Sequence, residues 1–274
     1  MNWIMSQLIQ LLLGILFAAI IAYAAYRLHS LSKSGAWGAL LTGTVIFGIG
    51  GWQWAILLLA FFISSSALTR LFKKNKAALD EKFEKGGQRD IGQVLANGGL
   101  ASIFAGLHFF FREAAWPWVG FVASLAAVNA DTWATELGVL NPSLPRLITT
   151  WKPVEKGTSG AISVYGTAAS LMGSFLIAIL GAALAPSAVA LTGRFWTSLL
   201  FFTLAGLFGA LVDSYLGATI QAIYHCPKCD KETEKHPLHS CGTATVQVRG
   251  IKWMNNDMVN LVCAAAGTVI GLIL

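Results

Sequence analysis

A chain of 274 residues that is 55% hydrophobic and 12% charged carries about half the charge of a soluble domain, for which roughly 25% is usual. That composition excludes a water-soluble globular protein. The net charge of +6 does not mark a nucleic-acid binder either, because no basic run is interleaved with stacking aromatics.

The chain reads as an all-α polytopic membrane protein of about eight transmembrane helices with a small zinc-binding cytoplasmic loop. The first apolar segment, 8–26, has a long apolar body and no cationic stretch before it, so it reads as a span rather than a cleaved signal. Segments 36–50 and 52–69 follow, both short, with Gly48, Gly50 and Gly51 marking a tight turn. Residues 1–69 thus hold the first three helices. Segment 70–90 is a charged loop with seven cations and four acids, expected as an amphipathic helix on anionic lipid.

Core helices four to seven occupy 91–220, in apolar segments 91–111, 117–140, 161–184 and 196–220. Gln93 and Asn97 share a face of the fourth helix, at its start. A phosphate loop is predicted over 141–160, a zinc-binding loop over 221–257 and the last helix over 258–274. Small residues in helix six (Ser163, Gly166, Ala168, Ala169, Ser170, Gly173) and in helix eight (Ala264, Ala265, Ala266, Gly267) predict close helix packing.

Eight spans put 17 of the 19 lysines and arginines on one side, leaving only Arg112 and Arg194 on the other. The cation-rich side is the cytoplasm, so both termini are expected outside. Fusing 36–50 with 52–69 moves Arg27 and Lys33 across and worsens the split to 15 against 4. The plasma membrane of a prokaryote is the expected location.

Three acidic motifs stand at or near membrane depth: Asn129-Ala-Asp131-Thr-Trp-Ala-Thr-Glu136-Leu-Gly138, Asp213 in Gly209 to Gly217, and Asn255-Asn256-Asp257. Ionisable groups inside spans are costly and usually functional. The alternative is a buried hydrogen-bond network tying helices together. Carboxylates and amide oxygens suit Mg²⁺, with substrate phosphates completing its shell. Asp131 and Glu136 are five apart and point about 140° from each other on a regular helix. They share an ion only if the helix breaks, as Gly138, Asn141 and Pro142 suggest. Asp131-Thr-Trp133 and Asp213-Ser-Tyr215 also hint at a parallel repeat of helices 5–6 and 7–8.

The loop Lys152-Pro-Val-Glu-Lys156-Gly157-Thr158-Ser159-Gly160 enters helix six. Glycines, hydroxyls and lysines at a helix start form an anion cradle. It is not a Walker A motif, and Thr158 or Ser159 would serve equally as an N-cap. Cys226, Cys229, His239 and Cys241 have the spacing of a closed structural zinc site, with His236 the alternate ligand and His225 a weaker one. Cys263, His108 and His29 read as packing or interfacial residues.

The motifs Gln93-Val-Leu-Ala-Asn97-Gly, Asn129 to Gly138, Lys156 to Ser163, Asp213-Ser-Tyr-Leu-Gly-Ala218, Cys226-x-x-Cys229 and Asn255-Asn256-Asp257 together resemble one family across nearly the whole chain. It is the family of integral membrane proteins that includes transmembrane protein 19 of animals and the phytyl-phosphate kinase of plants. It is distantly similar to CTP-using polyprenol kinases and phosphatidate cytidylyltransferases.

The resemblance implies phosphoryl transfer from a nucleoside triphosphate to an isoprenoid monophosphate, at the cytoplasmic membrane face. Asp131, Glu136, Asp213 and Asp257 would then organise Mg²⁺. Asn97, Asn129, Lys152, Lys156, Gly157, Thr158, Ser159, Gly160, Asn255 and Asn256 would bind substrate or nucleotide. A cation-coupled transporter and a scaffold built around the zinc loop are the alternatives, and a homodimer is left open.

Overall fold

The computed structural model describes residues 2–73, 87–186 and 194–274. Most of the predicted amphipathic segment 70–90 therefore lies outside the described residues. Eight α-helices stand among those described: α1 (Asn2–Arg27), α2 (Lys33–Val45), α3 (Trp52–Leu71), α4 (Ile91–His108), α5 (Trp116–Gly138), α6 (Val164–Ala183), α7 (Phe195–Thr219) and α8 (Asn256–Ile273). Five of them, α1, α3, α6, α7 and α8, are long and apolar enough to cross a membrane.

The glycine-rich stretch after α2 is not simply a turn. Ile46–Gly50 continues α2 as a π-helix, and only Gly51, at φ +96°, makes the corner into α3. Gly48 and Gly50 are needed for contact: a methyl group at Gly50 would sit 2.6 Å from the Trp54 ring.

α5 is the axis of the molecule. It packs against α3, α4, α6, α7 and α8, and every residue from Gly120 to Ala130 is buried. Neighbouring helices replace lipid around it, so it need not be uniformly apolar, and polar groups survive there. Small residues permit the approach. A Cβ on Gly173 of α6 would stand 2.9 Å from the Asn129 carbonyl, and one on Gly267 of α8 would stand 2.6 Å from Ala127 Cβ. Trp54, Trp118 and Phe121 form the aromatic heart, with ring centroids 4.6–5.8 Å apart.

The all-α expectation needs one correction. Strands β1 (Arg146–Leu147) and β2 (Ala161–Ile162) pair antiparallel between α5 and α6, and β3 (Ile223–Cys226), β4 (Lys231–Thr233) and β5 (Val246–Arg249) form a sheet of order β4-β3-β5. Pro145, Pro153, Gly157 and Gly160 prevent helix in the first loop. β-Branched Ile223, Thr233, Val246 and Val248 favour strand in the second.

Candidate active site

The C-terminal ends of α3, α5 and α7 and the N-terminal ends of α4, α6 and α8 meet around a cleft of about 670 Å³. The fold closes it with residues 87–89, the loop 156–163, Gln221 and Glu234. The antiparallel run of consecutive helices thus gathers motifs that are far apart in sequence at one end of the bundle.

Asp131 and Asp213 meet in this cleft, their side chains within hydrogen-bonding reach across the α5–α7 contact. Glu234, from the end of β4, is close enough for its charge to act on Asp213. Three acids around one space repel one another, and either a bound cation or a retained proton relieves that repulsion.

Glu136 lines the same cleft as Asp131 but from a different bearing on the helix. α5 runs unbroken to Gly138, so the two carboxylates keep their angular separation. Glu136 Oε1 instead accepts the Thr69 hydroxyl of α3 at 2.8 Å, and its charge acts on Arg89. Burial pushes the Arg89 guanidinium down to about 10, with Glu136 opposing that shift. Arg89 is therefore still a cation at neutral pH.

Asn97, Lys156, Gly157, Thr158, Ser159, Gly160 and Asn256 line the same cleft. The loop is built differently from the expected helix-entry cradle. β2 separates it from α6, and the N-cap is Ser163, whose Oγ accepts from Gly166 N at 3.1 Å, not Thr158 or Ser159. Gly160 takes φ +81°, and its Cα faces the Ala218 backbone so closely that a Cβ would collide with it. The Lys156 ammonium donates to the Val139 and Asn141 carbonyls at 3.1 and 2.6 Å, where it complements the C-terminal end of α5.

Four predicted residues stand apart from the cleft lining. Asn129 is buried and ties three helices: its Oδ1 accepts Ser65 at 3.3 Å and its Nδ2 donates to Gly173 O at 2.7 Å. Lys152 is exposed on the outer side of its loop. Asn255 is the N-cap of α8, accepting from Met258 N at 3.1 Å. Asp257 falls in the first turn of α8, about 100° around from Asn256.

Sequence reasoning missed Arg89, Asn260, Gln221 and Glu234. The i, i+4 spacing of Asn256 and Asn260 is a signal that could have found Asn260. No sequence signal brings Glu234 to Asp213. Gln221 makes that link: it accepts the Ser159 hydroxyl and donates Nε2 to Glu234 Oε1 at 2.9 Å.

Behind Glu234, Cys226, Cys229, His239 and Cys241 converge, their ligand atoms all within 4.8 Å of one another. His236 is excluded from this set, since it stacks on Tyr224 with centroids 4.4 Å apart. His225 is held instead by Asp230 at 3.0 Å. Hydrogen bonding with Thr243, then His239, holds the Cys241 thiol down at about 5, while its bond to Cys241 pushes Cys229 up to about 11. No three carboxylates converge as closely as this set among the described residues.

Comparison with known proteins identifies the family. The family model for "Integral membrane protein DUF92" matches residues 16–268. The chain belongs to the DUF92 family of integral membrane proteins. Among its relatives, Protein PGR of Arabidopsis thaliana is 35% identical, covering 94% of this chain and 93% of its own length. An uncharacterized membrane protein of Methanocaldococcus jannaschii is 33% identical over 98% of this chain and 96% of its own. The chloroplastic Protein VTE6 of Arabidopsis thaliana is 28% identical over 89% of this chain and 65% of its own length. No solved structure matches the chain. DUF92 membership agrees with the family resemblance drawn from the motifs.

Proposed function

We propose that this DUF92 protein transfers a phosphoryl group from a nucleoside triphosphate, with CTP a candidate donor, to a prenyl monophosphate. The observation that carries this reading is the meeting of Asp131 and Asp213 with the lysine- and glycine-bearing loop 156–160 in one cleft. The family resemblance supplies the substrate class.

Asp131 and Asp213 fit Mg²⁺, because the sealed Oδ2 of Asp213 has no hydrogen-bond partner among the described residues and hard oxygens are its preferred ligands. Bound there, Mg²⁺ would neutralise charge on the transferring phosphate. Glu234, Asn256 and Asn260 stand nearby to order the rest of its shell. Lys156 and the backbone of 157–160 would orient the donor. An oxygen of the acceptor monophosphate attacks the terminal phosphorus, the bond to the nucleoside diphosphate breaks, and that diphosphate leaves. The acceptor oxygen is already anionic, so no general base is needed.

Cys226, Cys229, His239 and Cys241 fit Zn²⁺. Tetrahedral bonds of about 2.3 Å set sulfurs about 3.8 Å apart, and Cys226 and Cys241 Sγ stand 3.6 Å apart. The ion would hold the β3–β5 loop, and with it Glu234, over the cleft. The charge split further supports eight spans with both termini outside and the cleft toward the cytoplasm of a prokaryotic cell.

Assaying the purified protein with a panel of prenyl monophosphates and four nucleoside triphosphates tests the proposal. Formation of prenyl diphosphate that stops when Mg²⁺ is removed is expected. No product anywhere in the panel, with cation-driven flux in proteoliposomes, would replace it with the transporter reading.

A further inference from the structure

A second cavity, of about 290 Å³, lies between α1, α2, α3 and α4, and its wall is almost entirely hydrocarbon, including Ile21, Ala22, Phe47, Leu58 and Phe61. The proposed phosphoryl transfer uses none of it. Three residues line both this cavity and the acid-bearing cleft: Arg89, Gln93 and Asn97. An apolar chamber therefore adjoins a polar one across a cation and two amides.

Arg89 is unusual for a surface-loop arginine. Its Nη1 is sealed from solvent and has no hydrogen-bond partner among the described residues. The guanidinium lies over the Phe61 and Phe62 rings at 5.5 and 5.7 Å, which fixes it in place. A guanidinium whose Nη1 has no acceptor among the described residues suits a phosphate oxygen, a charge-assisted partner. Hydrocarbon on one side and a cation with two amides at the junction suit an amphiphile with an anionic head.

We propose that the α1–α4 cavity holds the apolar chain of the acceptor, and that Arg89, with Gln93 and Asn97, holds its monophosphate at the entrance to the cleft. This rests on the prenyl-phosphate reading above. It assigns the two substrates to opposite sides: the lipid acceptor enters past α1–α4, and the nucleotide is held against loop 156–160.

The test is photolabelling of the full-length protein in nanodiscs by farnesyl monophosphate carrying a photoreactive group at its tail end. Crosslinks to Ile21, Phe47 or Leu58 are expected, competed by unlabelled farnesyl monophosphate and not by inorganic phosphate. Arg89→Gln should cut labelling by the monophosphate at least about tenfold while leaving labelling by the matching alcohol unchanged. Ala39→Phe narrows the cavity and should abolish farnesyl labelling while keeping labelling by a five-carbon prenyl monophosphate that carries the same photoreactive group, which also shows that the variant is folded. Crosslinks on α6–α8, equal labelling of the parent by alcohol and monophosphate, or displacement by ordinary phospholipid alone would overturn the proposal. Labelling needs no turnover, so the expected pattern in a protein inactive with every donor would sink the kinase reading and leave this one standing.

Discussion

Gln221 holds Glu234 and Ser159 at once, donating to the Glu234 carboxylate at 2.9 Å and accepting the Ser159 hydroxyl. Gln221 is 2% exposed, so this link is part of the core and not a surface contact. It ties the cysteine-bearing loop to the loop that faces the acid pair. Glu234, which follows β4, thereby reaches the cleft, where its charge acts on Asp213.

Asp131→Asn and Asp213→Asn should each lower turnover by at least about a hundredfold while the protein still inserts and elutes as a folded species. The change keeps shape and removes the charge that would hold Mg²⁺. Steady-state kinetics beside a melting curve checks it. Near-normal turnover in Asp131→Asn, with a substrate the parent phosphorylates, would remove the acid pair from the mechanism.

Elemental analysis should find about one zinc per chain, and Cys226→Ser should lose it. Because Glu234 hangs on the same loop, the metal-free variant should also lose turnover, and Gln221→Ala should show the turnover loss with zinc retained. A metal-free protein that is stable and fully active would refute both halves.

Glu136 and Arg89 should behave as a coupled pair. Glu136→Gln leaves a buried guanidinium without its counter-charge and should cost about 3 kcal/mol of stability. Combining it with Arg89→Gln should cost less than the two single changes added together. Additive melting shifts would show that the two do not interact.

Gly160→Ala should destabilise by about 2 kcal/mol or more, since φ +81° is strained for alanine and its methyl would strike Ala218. Loop 156–160 moves if α7 cannot. The expected result is a lower melting temperature with nucleotide KM raised more than kcat falls; an unchanged Tm would contradict the close approach.

The orientation is testable in intact cells with a membrane-impermeant thiol reagent. Arg112→Cys should label from outside, and the exposed position Lys152→Cys should not. The reverse pattern would place the cleft outside the cytoplasm.

Much of this protein is legible in one dimension. Apolar runs marked the eight helices among the described residues, five of which are long and apolar enough to cross a membrane, because a helix facing lipid must carry hydrocarbon. The convergence of Cys226, Cys229, His239 and Cys241 was legible because their short sequence spacings are those that let side chains meet around one point. Asp131 and Asp213 stood out because an acid within an apolar run is expensive.

Other assignments depended on partners that no spacing encodes. Asn129 and Asp131 sit two residues apart in one motif, yet one ties helices together and the other lines the cleft, because successive helical positions turn by 100° toward different neighbours. Glu136 was grouped with Asp131, and the unbroken α5 sent it to Thr69 and Arg89 instead. Glu234 gave no signal, and Arg89 stood only as part of a polar run entering the fourth helix: both are charged residues in charged loops, the commonest place for them. The sequence by itself determined which segments are helical and which residues are too costly to be idle. Only the packing of α5 among five neighbours decided which of those residues face one another, since burial and facing are set by contacts between segments far apart in the chain.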